Sequence, residues 1–240
     1  MNPSISPERA VSIGLCATLC AAGVASCALA GPTWDLDYTD DAKDGAGTAQ
    51  VITAPLAPII SIHGTLTGSA LVGSDFVDMY MFEITHQTTL SISCAGGLLG
   101  GEANFDAQLF LFKRKGNSGN VRALALKGNN DAAAGNWGAR IGDELDPNAD
   151  YITLSRGWYY IAITGVGMEA FAETGNIIWP DLGTPGQTVS GNENGLGGWN
   201  GQGVTGDYVI RLHAVSGGML PSPGAMALLG LAGLVRRRNR

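Results

Sequence analysis

Carboxylates and tryptophans are the side chains of this 240-residue chain best suited to chemistry. Asp75 and Asp78 flank the start of an apolar run, Asp106 opens another, and Asn129-Asn130-Asp131 closes a third. Hard oxygen donors at strand ends suit Ca²⁺, so Asp75, Asp78, Asp106 and Asp131 are the candidate ligands. Asp and Asn are also ordinary turn formers, and no segment has the spacing of an EF-hand or of a glycine-rich calcium repeat. Trp179 and Trp199 lie in a glycine-rich stretch, where an indole face could stack on a sugar ring or could instead cover a sheet.

Other constellations are weak. His63, His86 and His213 are far apart in sequence and lack the spacing of a zinc site. Gly165-Val166-Gly167-Met168 imitates a dinucleotide-binding loop, but Thr174, Gly175 and Pro180 follow where a helix should run. There is no Gly-x-Ser-x-Gly elbow and no His-Glu-x-x-His. The sequence therefore predicts no catalytic residue and no cofactor beyond calcium. A carboxylate pair for glycoside cleavage would form only in the fold, and that alternative stays open.

Two terminal segments set the context. At the start, Arg9 precedes an apolar stretch and then Ala28-Leu29-Ala30, the layout of a secretory signal peptide with cleavage before Gly31. Val24-Ala25-Ser26-Cys27 fits a rival lipoprotein signal. At the end, Pro221-Ser222-Pro223-Gly224 leads into an apolar run over 225–235, then Arg236, Arg237, Arg238, Asn239 and Arg240. Such an arginine cluster favours the cytoplasmic side of a membrane. Eleven helical residues span roughly 16 Å. The hydrocarbon core is about 30 Å thick, so the run suits a transient hold better than a lasting anchor.

This tail resembles the PEP-CTERM sorting signal of exported bacterial proteins, with serine in place of the usual glutamate. The resemblance implies an exosortase-like membrane protease as a partner, alongside signal peptidase. The expected location is the cell surface or extracellular space, with the chain held briefly in the membrane.

Export changes the arithmetic of the remaining chain. Three of the four cysteines (Cys16, Cys20, Cys27) fall in the signal, leaving Cys94 with no partner for an internal disulfide. Residues 31–220 keep nine Lys+Arg and 20 Asp+Glu, a net charge of about −11 that disfavours nucleic acid.

The elements that must position these side chains read as antiparallel strands. Residues 88–94 alternate, with Leu90, Ile92 and Cys94 on one face and Thr89, Ser91 and Ser93 on the wet one. In 76–85, Val77, Met79 and Met81 share one face, and Phe76, Tyr80, Phe82 and Ile84 the other. Further strands are expected at 61–67, 108–112, 121–126, 151–154, 158–164 and 208–214. Short strands with turn chemistry between them predict an all-β sandwich or jelly roll, flanked by an N-terminal signal helix and a short C-terminal hydrophobic helix. The organisation follows: signal peptide 1–30, acidic lead-in 31–60, β-sandwich 61–216 with a glycine-rich insertion at 164–206, and sorting tail 217–240.

The order of certain pieces is similar to bacterial pre-peptidase C-terminal domains. They are Ile62-His63-Gly64-Thr65-Leu66, Asp75-Phe76-Val77-Asp78, Phe105-Asp106-Ala107-Gln108-Leu109-Phe110, Asn129-Asn130-Asp131, Gly157-Trp158-Tyr159-Tyr160 and Gly206-Asp207-Tyr208. That resemblance covers about residues 60–215 and implies an accessory module that in some cases binds polymers or calcium. The sequence-level expectation is a non-catalytic structural or adhesive protein of an extracellular polysaccharide matrix. The alternative is a carbohydrate-binding module or glycan-active enzyme.

Overall fold

The computed structural model describes residues 42–52, 61–68, 75–97, 100–117, 119–142 and 152–216. The signal peptide, with Ala28, Ala30 and Gly31, lies outside the described residues, as does the tail with Pro221, Ser222, Pro223, Arg236, Arg237 and Arg238.

The described part is all-β. Its strands are β1 (Gln50–Val51), β2 (Ser61–Leu66), β3 (Val77–Ile84), β4 (Thr88–Ser93), β5 (Glu102–Ala103), β6 (Ala107–Lys115) and β7 (Arg122–Asn129). They continue with β8 (Arg140–Ile141), β9 (Ile152–Leu154), β10 (Gly157–Gly165), β11 (Met168–Ala172), β12 (Val189–Ser190), β13 (Leu196–Gly201) and β14 (Gly206–Ser216). One sheet runs β1-β3-β10-β6-β7-β12, the other β2-β14-β4-β8 with β5 on β14 and β9 on β4, and β11-β13 form a separate two-stranded sheet.

The two large sheets face each other across the main core. Tyr80, Phe82 and Ile84 of β3, Leu109 and Leu111 of β6, and Tyr159, Ile161 and Ile163 of β10 meet Ile62, Leu90, Ile92, Ile210 and Leu212. The period of two sends these residues inward from both sheets. The alternate residues of β3, β6 and β10 are buried too. Met79, Phe110, Phe112, Tyr160 and Ala162 belong to a second core on the outer face of the first sheet. Met168, Ala170 and Ala172 of β11, together with Ile178 and Trp179, cover them. The molecule thus has three layers, which explains near-continuous apolar runs such as Leu109-Phe110-Leu111-Phe112.

Several expectations change. The insertion at 164–206 is folded: β11 and β13 form the third layer, and β12 joins the edge of the first sheet beside β7. The Gly165–Met168 stretch is the tight turn from β10 into β11, with Gly167 at φ +100°, so a strand follows it. Phe76 packs against the second core rather than with Tyr80, because it precedes β3 and escapes the alternation. Ser91 and Ser93 are buried, not wet. Their direct partners on β14 are His213 and Arg211, side chains long enough to cover a hydroxymethyl group. The sandwich also begins before residue 61: Ala42 and Ile52 are in the main core, and β1 pairs in parallel with β3.

A buried polar thread joins the sheets at one end. The Tyr208 hydroxyl donates to Asp78 Oδ2 at 2.5 Å and lies 2.6 Å from the Tyr80 hydroxyl. Since Tyr208 gives its one proton to the carboxylate, Tyr80 donates to Tyr208. Burial, then the Asp78 charge and the Tyr80 hydroxyl, push the Tyr208 pKa well above its ordinary value. Gly64 of β2 leaves the room required: a Cβ there would strike both tyrosine hydroxyls.

Candidate functional site

The fold separates the four candidate metal ligands into two kinds. Asp75 closes the β2–β3 connection: its Oδ2 accepts the Thr67 N–H and Thr67 Oγ1–H, both at 2.6 Å. Asp78 lies between the sheets and accepts from Tyr208. These two carboxylates hold structure together.

Asp106 and Asp131 come together at the open end of the β6–β7 pair. The register Leu109↔Asn129 places the residues before β6 beside those after β7. Burial, and secondarily the Asp131 charge, raise the Asp106 pKa above the ordinary carboxylate value. Asn130, 9% exposed, donates from Nδ2 to Asp131 Oδ2 at 3.2 Å. Its Oδ1 is buried without a hydrogen-bond donor, and so is Asp106 Oδ1. Asn129 pins the surrounding backbone, donating to the carbonyls of Asp131 and Gln187 and accepting from the Arg140 N–H at 2.8 Å. Among the described residues, no three His, Cys, Asp or Glu side chains converge as a metal cluster. What this end offers is two carboxylates and one amide oxygen, all hard donors.

The two tryptophans of the insertion are turned toward the sheet. Trp179 is only 5% exposed, with ring centroids 5.0 Å from Phe110 and 5.5 Å from Phe112. Its Nε1–H donates to the Val189 carbonyl. Trp199 is half-buried, lies 5.2 Å from Phe110, and donates to the Asp44 carbonyl at 2.8 Å. Gly128 makes this seating possible, since a Cβ there would come within 3.1 Å of Trp179 and 3.2 Å of Phe110. The indoles cover apolar surface, and Trp179 offers no free face to a sugar.

Trp137 does offer one, and it was not among the sequence candidates. It is 69% exposed. It lines a cleft of about 500 Å³ together with Ala95, Gly96, Glu102, Asn104 and Asn136. A second cleft of about 460 Å³ shares Glu102, Ala103 and Asn104 and continues to His63, Thr65 and Asp207. The clefts therefore adjoin at β5, whose residues line both. Asp207 accepts from Thr65 Oγ1 at 2.8 Å and from Asn104 Nδ2 at 3.5 Å. The signal that could have pointed to this place is Gly135-Asn136-Trp137-Gly138, a bulky aromatic among turn formers with no strand pattern around it.

The remaining reactive groups are tied into the fold. Cys94 is buried, its thiol pKa pushed up to about 12 by that burial, and its Sγ lies 3.5 Å from the Ala139 carbonyl. The thiol is thus inert at neutral pH. His63 is half-buried beside Ser61 Oγ at 3.2 Å, and His86 is exposed beside Thr85 Oγ1.

No protein-family model matches this chain, and no curated protein matches it significantly. Among solved structures, the pre-peptidase C-terminal domain of a collagenase from Bacillus anthracis is similar, at 13% identity and a TM-score of 0.31. The similarity covers 68% of this chain and 93% of that one. The β-sandwich assignment here rests on the strand pairing itself, not on that similarity.

Proposed function

We propose that this chain is an exported, non-catalytic β-sandwich protein with a structural or adhesive role at a bacterial surface or in its polysaccharide matrix. The observation that carries the reading is the tail: Pro221-Ser222-Pro223, a short apolar run, then Arg236, Arg237, Arg238 and Arg240. An apolar run too short to span comfortably, closed by charges that resist translocation, pauses a chain in a membrane. Signal peptidase would act after Ala30, and an exosortase-like protease near Pro221. Fractionation and mass spectrometry of the protein from an exosortase-bearing host test this. The expected product starts at Gly31, lacks Arg240 and leaves the membrane fraction. A chain that keeps Arg240 and stays wholly in the membrane overturns the sorting reading.

A second reading concerns calcium. It is favoured by the buried Asp106 Oδ1 and Asn130 Oδ1, both without donors, beside the Asp106–Asp131 pair. A cation held by Asp106, Asn130 and Asp131 would neutralise that repulsion and give those oxygens a partner. Calcium should raise the melting temperature of the full chain beyond any effect of NaCl at matched ionic strength. Equal shifts from both salts would overturn it. A glycan-cleaving activity would need a carboxylate pair across a cleft. Glu102 and Asp207 are the carboxylates lining the two joined clefts, and an assay for new reducing ends checks that alternative.

A further inference from the structure

We infer that the joined clefts over β5 form a binding groove for a neutral polysaccharide, with Trp137 as the platform on which a pyranose ring stacks. This inference names the partner within the adhesive reading above and rests on it. Three observations carry it.

The first is the exposed indole itself. An aromatic ring left 69% open gives up the burial that stabilises most tryptophans, on the order of 25 cal/mol per Å² of apolar surface. The other exposed large apolar side chains among the described residues are Val51, Ile177 and Val204. They lie on β1, in the stretch before Trp179, and beside the β10–β11 turn, so they do not extend Trp137 into an apolar patch of the size a protein partner requires. What surrounds Trp137 is polar: Glu102, Asn104 and Asn136 at the first cleft, then Thr65, Asp207 and His63 at the second. One flat apolar face beside several hydrogen-bonding groups matches the two faces of a sugar, apolar C–H on one side and hydroxyls around the rim.

The second is rigidity. The Trp137 carbonyl accepts the Ala107 N–H at 2.9 Å, at the start of β6. Asn136 Nδ2 donates to the Ala95 carbonyl, and Asn136 Oδ1 accepts the Gly138 N–H, both at 3.0 Å. Ala132 N–H also bonds the Gly138 carbonyl, and Ala133 bridges Asn136. Gly138 sits so close to Cys94 and Ala95 that a Cβ would collide with their backbone. A loop stitched to β4 and β6 on both sides of the indole presents it with little ordering left to do on binding.

The third is sign and shape. Glu102 and Asp207 put carboxylates along the groove, and residues 31–220 carry a net charge of about −11, which repels an acidic polymer and leaves a neutral one. The second cleft adjoins the first at Glu102, Ala103 and Asn104 and extends toward Thr65, so there is space for further rings on one side of the stacked one. The groove therefore fits a run of successive rings better than a single sugar.

The test uses the purified full chain and neutral gluco-, manno- and N-acetylglucosamine oligomers, with an oligogalacturonate as the acidic control. Binding is read by affinity electrophoresis and by tryptophan fluorescence. At least one neutral oligomer should bind, with a blue-shifted emission and tighter than its monosaccharide. Trp137→Ala should weaken it at least tenfold, Trp137→Tyr less, and Trp179→Phe little. The melting temperature of Trp137→Ala should match the parent, separating lost binding from lost fold. Three results overturn the groove: no neutral oligomer bound, Trp137→Ala binding like the parent, or the acidic oligomer binding best. Retention of the protein in the matrix despite any of these would leave the adhesive reading standing. Loss of retention while neutral oligomers still bind would sink that reading instead.

Discussion

Two tryptophan-bearing stretches of this chain are alike in composition and opposite in structure. Trp179 and Trp199 sit among glycines in the 164–206 insertion, and Trp137 sits between Asn136 and Gly138. The insertion also brings Met168, Ala170, Ala172, Ile178 and Leu182, enough apolar surface to form a layer on β6 and β10. The 130–139 loop brings only alanines besides its indole. An aromatic residue on a glycine-rich segment is thus buried or displayed according to the apolar company it keeps, and local composition alone does not separate the cases.

The largest test of this contrast is Trp179→Ala, which should cost about 3–5 kcal/mol in denaturant unfolding through lost burial and a cavity beside Phe110 and Phe112. Next is Gly128→Ala, where the new methyl group must displace Trp179, Leu182 or Phe110. A loss of about 1–3 kcal/mol is expected there, from overpacking. A Gly128→Ala protein as stable as the parent would show that the insertion gives way easily and would weaken the contrast.

The Asp106–Asp131 end of the 130–139 loop gives a smaller effect of opposite sign. Asp106 has a folded pKa raised by burial and by Asp131, so its ionised form is disfavoured in the native state. Stability from this group is present below its unfolded pKa and is lost as pH rises through the folded value. Asp106→Asn should therefore raise the melting temperature at neutral pH without calcium and remove any calcium-induced rise. On the alkaline side, Cys94 has its pKa raised to about 12 and Tyr208 is raised well above its ordinary value. Both keep their protons longer when folded, so stability should decline from about pH 9 upward, where the unfolded thiol begins to ionise. A Cys94→Ala variant should show a shallower decline in a pH series of melts. The smallest effect belongs to Trp137→Ala, within about 0.5 kcal/mol of the parent, as expected for an exposed side chain. A larger loss would mean the loop depends on its indole, and the contrast would fail.

The longer strands were legible in the sequence either from a period of two, as in β3 and β4, or from an apolar run bounded by turn residues, as in β10. The expected 76–85, 88–94 and 158–164 correspond to β3, β4 and β10 within two residues. Two-residue strands such as β1, β5, β8 and β12 are too short to carry a period, so they went unseen. The third layer was hidden because glycines in β13 leave close approach to the backbone, not side chains, as its signal. Asp106 and Asp131 were singled out by residue type, yet only the β6–β7 register brings them together and sends Asp75 and Asp78 elsewhere. Trp137 was missed because its turn-forming neighbours mark a loop but do not by themselves say whether the indole on it is displayed or covering.

The last strand of the described body, β14, lies in the middle of its sheet, with β2 on one side and β4 on the other. Until Gly206–Ser216 is delivered, β2 and β4 have nothing to join them, and Asp78 waits for the Tyr208 hydroxyl. Closing this sheet therefore needs contacts between strands far apart in sequence, a topology that disfavours fast folding. A chain threaded through a membrane from its N-terminus would stay open until almost its whole length had crossed, and the closing strand would be the stretch next to the apolar tail.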